Sequence, residues 1–315
     1  MDGKKKIAII GGGYMAIEHI KAFKDIKSVE LVGIFNRTKA KAESISNEFS
    51  IKKIYDSISD LYLNTKADLV VIAVSEIVIK EVCIEAFNFP WALLVEKPIG
   101  LNLKDASFLN ALASKNSLKV FIALNRRHYS STKYAIEELR ENSELRVVQV
   151  YDQESPSIAY KNGTPKIITE NWMYANSIHI VDYFSIFCRG DLLDVNNICK
   201  WERDKPSYVL SKLTFSSGDI GIYNAIWEGP SPWVVSINTP SKRLEMKPLE
   251  QISIQNYGSR KSTSISIDDW DLKFKPGLRR QAEEIVSALS SCHYNLPTIE
   301  DGLITMKMIN RIYEI

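Results

Sequence analysis

Two kinds of hydrophobic spacing alternate along residues 1–124. Short apolar runs, typical of strands buried on both faces, are separated by segments whose apolar residues recur every three or four positions. The runs are Ile7–Ile10, Leu31–Phe35, Leu69–Val74, Ala92–Val95 and Val120–Leu124, with a shorter candidate at Ile51–Tyr55. The helical segments are Met15–Ile26, Lys39–Phe49, Ile77–Phe87 and Leu103–Ser114, the last with Asn102 as its predicted N-cap. This alternation predicts a doubly wound parallel sheet with helices on both faces.

Beyond residue 145 the pattern changes to that of a second sheet. Apolar and polar residues alternate along segments rich in valine, isoleucine, tyrosine and tryptophan, which is typical of antiparallel strands with one packed face. These segments are Tyr208–Phe215, Ile220–Trp227, Trp233–Asn238, Gln251–Gln255 and Ser262–Ile267. Ser217-Gly218-Asp219 predicts a hairpin turn between the first two. Helical segments lie at Ser177–Cys188, Gly277–Leu289 and Asp301–Tyr313.

The two patterns predict an α/β protein with two domains, a doubly wound domain over residues 1–124 and an α+β domain with an antiparallel sheet over residues 125–315. Few helices are available to cover that sheet, so its uncovered face is expected to contact another copy of the chain in an oligomer. The Gly277–Leu289 helix is interpreted as packed across the second sheet, with Arg279 and Arg280 on its solvated side. The alternative is that the last helices pack back on the first domain.

Charge and cysteine content narrow the classes of function. The chain has 40 Lys and Arg against 38 Asp and Glu, a net charge of +2, so no nucleic-acid partner is expected. No apolar run approaches the roughly 18–20 residues that span a bilayer, and no secretory signal pattern is present, so no membrane partner is expected. Cys83, Cys188, Cys199 and Cys292 are far apart without metal-ligand spacing. They are expected to be buried free thiols in a cytoplasmic protein that holds no metal.

The segment KIAIIGGGYMAIEHI joins the first predicted strand to the first predicted helix. Gly11, Gly13 and Ala16 fit the pattern G-x-G-x-x-A, in which they allow a tight turn, close approach to a pyrophosphate, and close helix–strand packing. Tyr14 and Met15 open the helix, whose N-terminus offers N–H groups and a positive dipole end to phosphate. At the start of an alternating strand–helix pattern, this motif predicts a Rossmann dinucleotide-binding domain. A glycine turn without a ligand is the alternative.

The residues after the second strand bear on which nucleotide binds. An NAD site commonly places Asp or Glu there to bond the ribose hydroxyls, but this chain has Asn36, Arg37 and Thr38. An acid would repel a 2′-phosphate, whereas these side chains could bind one. The sequence therefore predicts NADP(H), with NAD(H) as the alternative if Arg37 is only an exposed loop cation. Ala73 and Val74, at the end of a later strand, are further predicted cofactor contacts.

The segment WALLVEKPIG ends an apolar strand with a lysine held by a proline. Ligands of open α/β sheets lie outside the carboxyl ends of the strands, so Glu96 and Lys97 are predicted at the same edge as the glycine loop, among the cofactor contacts. Pro98 restricts Lys97 to extended backbone angles and makes a cis bond an option. Lys97 beside a nicotinamide is a candidate for proton transfer, whereas Glu96 is expected to anchor the turn. An ordinary solvent-exposed strand end is the alternative for Lys97.

Several motifs in this order resemble the Gfo/Idh/MocA oxidoreductase family. They are the glycine loop, EKP at Glu96–Pro98, NRR at Asn125–Arg127 and the spacing His-x-x-Asp at His179 and Asp182. His19 in the first helix and FKPGLRRQAEEIVSAL near the C-terminus fit as well, so the resemblance covers nearly the whole chain. It implies a Rossmann domain followed by a domain with an open, mainly antiparallel sheet, through which dimers or tetramers form. It also implies oxidation or reduction of a hydroxyl or carbonyl carbon on sugars, cyclitols or nucleotide-linked sugars.

By this resemblance, Lys97 corresponds to the family's lysine beside the reacting hydroxyl, and His179 to its acid–base histidine. His179 and Asp182 are three positions apart and share a helix face, so Asp182 could orient the imidazole. A hydrogen-bonded core histidine is the alternative. Many family members carry an aspartate four residues before this histidine, where this chain has Ala175. The groups that could replace that aspartate are Asn171, Tyr174, Asn176 and a substrate group.

The remaining candidates fit a polar substrate. Arg127 is predicted to bind a phosphate or carboxylate, with a structural ion pair as an equal alternative. Trp172 is predicted to stack on a sugar ring, as Tyr129 and Trp227 could, although aromatic residues more often belong to a core. The full set of predicted substrate-binding residues is Asn125, Arg127, Trp172, Asn176 and Asp182.

Together these features predict an NADP(H)-dependent oxidoreductase acting on CH–OH groups, which moves hydride between nicotinamide and a hydroxyl or carbonyl carbon of a sugar or nucleotide sugar. Lys97 and His179 are the predicted catalytic acid–base residues. The expected partners are that small substrate, bound by the second domain, and further copies of the chain in a homodimer or homotetramer. Because Ala175 lacks a carboxyl group, one alternative is a catalytically impaired nucleotide-binding sensor or subunit of the same fold. Another is transient oxidation that drives elimination or glycoside cleavage.

Overall fold

The fold consists of two compact units. The computed structural model describes residues 3–203, 208–230, 232–291 and 293–315. The first unit comprises the chain up to Asn125 together with Trp270–Leu303, and the second comprises Arg126–Asp269 and Ile304–Ile315. The first unit is therefore discontinuous in sequence. The predicted α/β class, with one parallel and one mainly antiparallel sheet, is confirmed.

The first unit is built on a six-stranded parallel sheet in the order β3-β2-β1-β4-β5-β6. Its strands are β1 (Lys5–Ile10), β2 (Val29–Phe35), β3 (Ile54–Tyr55), β4 (Leu69–Ile72), β5 (Ala92–Val95) and β6 (Val120–Ile122). The connecting helices are α1 (Tyr14–Lys24), α2 (Lys39–Phe49), α3 (Ile58–Thr65), α4 (Ile79–Ala86) and α5 (Leu103–Lys115). The apolar runs predicted as strands are confirmed. Chain order reverses between β1 and β4, and a crevice opens at such a point outside the carboxyl ends of the strands.

Side-chain caps fix where two helices of this unit begin. α5 begins after Asn102, as predicted, because its side-chain oxygen accepts the backbone N–H of Asp105 at 3.1 Å. α3, which the apolar spacing did not predict, begins after Ser57, whose hydroxyl accepts the N–H of Asp60 at 2.9 Å. α1 differs, because Gly13 at its N-cap has no side chain to offer its first-turn N–H groups.

The helix predicted at Gly277–Leu289 belongs to the first unit. α10 (Asp269–Lys273) precedes it, and α11 (Leu278–Ala288) places Leu278, Ala282 and Ile285 in the same apolar core as Phe23 of α1. The interpretation that assigned this helix to the second sheet is wrong. The alternative, in which the last helices pack back on the first domain, holds for α11.

Arg279 of α11 is buried, contrary to the prediction that it lies on a solvated face, with 7% of its surface exposed. Its guanidinium bonds Asp25 at 2.7 Å and Glu283 at 2.6 Å, and lies 4.5 Å from the ring centroid of Trp270. Two carboxylates and an aromatic face offset the loss of hydration. Arg280 is half-buried, 5.3 Å from the same ring.

The second unit contains an eight-stranded sheet in the order β14-β13-β12-β11-β7-β10-β9-β8. Its strands are β7 (Val147–Glu154), β8 (Leu192–Cys199), β9 (Tyr208–Phe215), β10 (Ile220–Trp227), β11 (Val234–Asn238), β12 (Lys242–Met246), β13 (Ile252–Asn256) and β14 (Thr263–Ile265). Neighbours are antiparallel except β7 and β10, which are parallel. The hydrophobic patterns did not predict β7, β8 or β12.

One face of this sheet is packed, as predicted. The α-helices of the second unit are α6 (Ser130–Glu138), α7 (Pro156–Lys161), α8 (Lys166–Thr169), α9 (Ile178–Phe187) and the later part of α12 (Ile299–Tyr313). Along β10, buried residues alternate with half-buried ones. Gly221 lies under the ring of Phe184 from α9, and a Cβ there would be 2.8 Å from that ring. The hairpin turn predicted around Gly218 is confirmed, with the glycine at φ +88°.

The cysteines differ in environment. Cys83 and Cys188 are buried free thiols, as predicted, but Cys199 is exposed because it ends the edge strand β8. Cys292 lies outside the described residues. Within the described residues, no group of three or more His, Cys, Asp and Glu side chains could hold a metal ion. No helix in the described part of the chain is long and apolar enough to cross a membrane.

Candidate active site

The glycine loop between β1 and α1 is fixed by its backbone. Gly11 has φ +126°, and a Cβ at this position would lie 2.1 Å from the carbonyl oxygen of Ala73 at the end of β4. Its N–H donates to the carbonyl of Phe35, at the end of β2, at 2.9 Å. Only glycine fits between these two strand ends without strain.

The N-terminus of α1 is open where a phosphate would lie. A Cβ on Gly13 would meet nothing within 4 Å, and the first turn contains no acidic residue. The unsatisfied N–H groups and positive dipole end of the helix therefore remain available to an anion. Ala16 is fully buried, as expected for a residue that lets the helix pack closely on the sheet.

A cleft of about 670 Å³ lies at the carboxyl ends of the parallel strands. It gathers every predicted cofactor residue except the buried Ala16. Those that line it are Gly11, Gly13, Tyr14, Met15, Asn36, Arg37, Thr38, Ala73, Val74, Glu96 and Lys97. The loop, the end of β2, the end of β4 and the end of β5 thus converge within the first unit, and their residues fit a dinucleotide.

The part of the cleft after β2 is polar and carries two cations. The Asn36 amide lies against Gly12, whose Cβ would be 3.1 Å away, and it donates to the carbonyl of Thr38 at 2.9 Å. Arg37 and Lys41 both line this part, and Lys41 was not predicted. Lys41 sits in the first turn of α2, where sequence spacing gives no sign that it faces the cleft.

A buried pair of side chains fixes the strand end that carries Lys97. Glu96 is 5% exposed, and its Oε1 lies 2.7 Å from Nε2 of His19, which is 1% exposed. Its other oxygen accepts the backbone N–H of Lys97 at 3.2 Å. Glu96 thus anchors the turn, as predicted, and the Lys97–Pro98 bond is cis. Lys97 itself is half-buried and lines the cleft.

Asn125 and Arg127, predicted together as substrate contacts, have protein partners. The Asn125 amide donates to the carbonyl of Pro276 at 2.9 Å within the first unit. In the second unit, Arg127 binds Asp182 through two bonds of 2.7 and 2.6 Å. Thr305 also donates to Asp182, at 2.9 Å. The structural ion pair expected as the alternative for Arg127 is therefore present, and these bonds of Asp182 do not go to an imidazole.

The other predicted substrate residues surround a π-helical turn, Met173–Ser177, that leads into α9. Trp172 precedes the turn, Ala175 is buried in it, and His179 is half-buried in the first turn of α9. The Asn176 amide donates to Glu154 of β7 at 2.9 Å. π-Turns are uncommon and cluster at functional sites.

A pocket of about 410 Å³ in the second unit contains two of these residues, Trp172 and Asn176. Trp233 also lines it, with the Arg126 guanidinium 4.1 Å from its ring centroid. The indole N–H of Trp172 is buried with no hydrogen-bond partner among the described residues. Aromatic faces beside amide groups suit a ligand that is both apolar and hydroxylated.

The other two aromatic candidates, Tyr129 and Trp227, belong to the core, which was the alternative stated for them. Tyr129 is 4% exposed and Trp227 is 5% exposed. The Trp227 indole donates to the hydroxyl of Tyr313 at 3.3 Å. Trp233 was missed as a pocket residue because its place at the start of a strand pattern made it indistinguishable from a core tryptophan.

Comparison with known proteins agrees with this geometry. Residues 5–124 match the model of an oxidoreductase family with an NAD-binding Rossmann fold, GFO_IDH_MocA. Over 126 residues the chain is 30% identical to glucose-6-phosphate 3-dehydrogenase of Bacillus subtilis, a match that covers 40% of this chain and 35% of that protein. The matches span 35, 62 and 39% of the lengths of three curated relatives.

Two solved structures share the fold over almost the whole chain. The UDP-N-acetylglucosamine 3-dehydrogenase of Acidithiobacillus ferrooxidans matches 99% of this chain and 97% of its own, with TM-score 0.79 and 16% identity. A 3-ketoreductase from Actinomadura kijaniata, in complex with TDP-benzene and NADP, matches 99% of this chain and 98% of its own, with TM-score 0.75 and 15% identity. At these identities the likeness establishes the fold.

Proposed function

We propose that this chain, whose residues 5–124 match the model of the Gfo/Idh/MocA oxidoreductase family, is a nicotinamide-dependent oxidoreductase acting on a CH–OH group of a sugar or nucleotide sugar. The observation that carries the proposal is the cleft at the carboxyl edge of the parallel sheet, in which an open helix N-terminus and a lysine meet. A bound nicotinamide would accept or supply the hydride. The protein has to bind it, orient the substrate and handle a proton.

NADP(H) is the proposed cofactor. The backbone of Gly11–Gly13 and the N-terminus of α1 would hold the pyrophosphate. Asn36, Arg37 and Thr38, with Lys41 beside them, would hold a 2′-phosphate, because the residues after β2 supply no carboxylate to bond a free ribose hydroxyl. Isothermal titration with NADPH and NADH tests this. Tighter binding of NADH would overturn the choice of NADP(H) and leave the oxidoreductase proposal intact.

Lys97 and His179 are the proposed acid–base residues. Lys97 lines the cofactor cleft on a strand end locked by Glu96 and His19, so the backbone that carries its side chain is fixed. It would donate to the oxygen of the reacting hydroxyl or carbonyl, and His179 would take up or return the proton. Asn125, Arg127, Trp172, Asn176 and Asp182 remain the proposed substrate side, with the Arg127–Asp182 pair acting as rigid support.

The proposed substrate class is a hexose derivative that reacts at carbon 3. The relatives named above are a glucose-6-phosphate 3-dehydrogenase, a UDP-N-acetylglucosamine 3-dehydrogenase and a 3-ketoreductase. The pocket with Trp172, Trp233 and Asn176 offers aromatic and amide groups of the kind that bind sugars. A panel of hexoses, hexose phosphates and nucleotide hexoses, followed by nicotinamide absorbance, tests this.

The outcomes of that panel separate the alternatives. Substrate-dependent reduction of the nicotinamide supports a dehydrogenase. Tight nucleotide binding without turnover of any sugar would support the impaired sensor or subunit instead, for which Ala175 in the π-turn is the motivating observation. Consumption of a glycoside with no net absorbance change would support elimination or glycoside cleavage.

A homo-oligomer through the second sheet is also proposed. On the less packed face, Ile220, Ile222 and Ile226 of β10 are only half-buried, and the neighbouring strands add Tyr151, 38% exposed, and Tyr208, 59% exposed. Partly exposed apolar side chains on three paired strands suit a self-complementary contact. Light scattering on the intact chain should give the mass of a dimer or tetramer, and Ile222→Lys should reduce it.

A further inference from the structure

Two carboxyl groups are completely buried side by side in the second unit. Asp152 and Glu154 lie two positions apart in β7, so both face the same side of the sheet, and each has 0% of its surface exposed. Within the described residues, their side-chain hydrogen bonds come from hydroxyl and amide groups and not from Lys or Arg. Buried carboxylates usually require a cation, so this pair needs another explanation.

The groups that face the pair are hydroxyls and an amide. Glu154 accepts from the Ser177 hydroxyl at 2.8 Å and from the Asn176 amide at 2.9 Å. Asp152 accepts from the Tyr223 hydroxyl at 2.6 Å. The titratable groups packed against the pair are therefore Tyr223 of β10 and, 2.7 Å from its hydroxyl, Tyr313 of α12.

A shared proton accounts for this environment. Burial raises the pKa of Asp152, and burial followed by the charge of Asp152 raises the pKa of Glu154 well above its usual range. Two adjacent carboxyl groups in a dry site cannot both ionise, so one proton stays between them. Oδ1 of Asp152 is buried with no partner among the described residues, and it is the atom that a proton carried by Glu154 would satisfy.

Glu154 is joined to the proposed substrate side by two bonds. Asn176 and Ser177 are the last two residues of the π-turn, and His179 follows in the first turn of α9. A π-turn carries one extra residue relative to an α-helix, and surrounding contacts help to stabilise this less common backbone geometry. Asn176 also lines the pocket with Trp172, so the bond from its amide to Glu154 sets where the rest of this side chain points.

We propose that the Asp152–Glu154 pair, holding one proton between its carboxyl groups, is the positioning element that fixes Asn176 and the π-turn before His179 for sugar binding. This inference rests on the proposed function and deepens it by assigning residues that do not touch the reacting atoms. Loss of the shared proton would place a second negative charge in the buried site, and repulsion between the two carboxylates would displace Glu154 from its partners in the turn. Substrate affinity should therefore weaken as pH rises.

The first part of the test separates KM from kcat and from nucleotide binding. Glu154→Ala removes both acceptors and should raise KM for the sugar about tenfold, with the Kd for NADPH unchanged. Glu154→Gln keeps the shape and one acceptor and should restore most of the affinity. Glu141→Gln, at an exposed position of the same unit, is the matched control and should match the wild type. An unchanged KM in a folded Glu154→Ala protein would overturn the positioning role.

The second part of the test detects the shared proton through the pH dependence of kcat/KM. In the wild type, kcat/KM should decline on the alkaline side through a rise in KM, and this limb should be absent in Glu154→Gln, which has no shared proton to lose. A limb that persists unchanged in the variant would overturn the proposal.

A third measurement does not depend on catalysis. A carboxyl group whose folded pKa is raised contributes stability below its unfolded pKa, and that stability is lost as pH rises through the folded pKa. The Tm of the wild type should therefore fall relative to that of Glu154→Gln as the pH rises above the ordinary pKa range of a glutamate. If the Tm values of the wild type and Glu154→Gln change with pH in parallel, the proposal of a shared proton is wrong. If no sugar is turned over by the wild type, the proposed function fails while this comparison still decides the state of the pair.

Discussion

The cofactor edge of the first unit and the pocket of the second unit are built in different ways. The first is made mainly of backbone: Gly11 fits against Ala73, and Gly13 leaves an open helix end. The second is made of side chains held by side chains, such as Asn176 by Glu154 and Asp182 by Arg127. A backbone site is specified by a few adjacent residues. A side-chain site is specified by residues that are far apart in sequence.

The largest expected effects test whether both regions serve one reaction. Lys97→Ala in the first unit and His179→Ala in the second should each lower kcat by about 10²–10⁴-fold, because each removes a proton-transfer group. NADPH affinity, measured by titration, should stay near the wild-type value for His179→Ala. Wild-type turnover in both variants would show that the assignment of the acid–base pair is wrong.

Two glycine variants test whether the cofactor edge depends on backbone alone. Gly11→Ala should destabilise the fold by about 2 kcal/mol or more, because it adds a Cβ at positive φ against the carbonyl of Ala73. Gly13→Ala meets open space at φ −89° and should cost about 1 kcal/mol or less.

A nucleotide titration separates the effect of the Gly13 variant on binding from its effect on stability. Gly13→Ala should fold normally and yet bind NADPH more weakly, because its methyl group occupies the space that a pyrophosphate would fill. Chemical denaturation and calorimetric titration measure the two effects separately. Undiminished NADPH binding by Gly13→Ala would contradict the dinucleotide interpretation of the cleft.

A smaller change tests the one part of the cofactor edge that relies on side chains. Arg37→Ala should weaken NADPH binding about ten- to hundredfold, the range expected for a charge-assisted bond to phosphate, and leave NADH binding unchanged. The ratio of the two dissociation constants is the measurement. Equal losses for both nucleotides would show that Arg37 does not distinguish them.

The smallest effect concerns a purely local feature. Asn102→Ala removes the cap of α5 and should lower the free energy of unfolding by about 1 kcal/mol, with catalysis unaffected. Ser107→Ala, on the exposed surface of the same helix, is a suitable control. A loss of activity without loss of stability would mean that α5 acts on the site in a way its cap does not explain.

The sequence predicted most of the first unit because its determinants are local. Apolar runs marked the strands, three glycines marked the loop, and Asn102 marked a helix start. α3 was missed because its apolar spacing is short, and only the contact from Ser57 to Asp60 defines where it begins. The part played by Lys41 depends on the packing of a whole helix, which spacing alone does not reveal.

The second unit was less predictable because its contacts are long-range. β7 carries the buried Asp152 and Glu154, which break the apolar alternation that would have marked a strand. The partner of Asp182 proved to be Arg127, 55 positions away, and Arg279 of the first unit is buried against Asp25, 254 positions away. No local pattern contains these pairings. The partners of these buried charged residues could therefore not be predicted from the sequence.

The return of residues 270–303 to the first unit has a consequence for how the protein is made. During synthesis the parallel sheet emerges from the ribosome long before α11, whose apolar residues complete the core around Phe23. Pro297 and Thr298 also pair with the edge strand β6. A fragment cut after Asn125 would leave that edge and part of α1 bare, so recombinant dissection of the nucleotide-binding half should join the two segments by a linker.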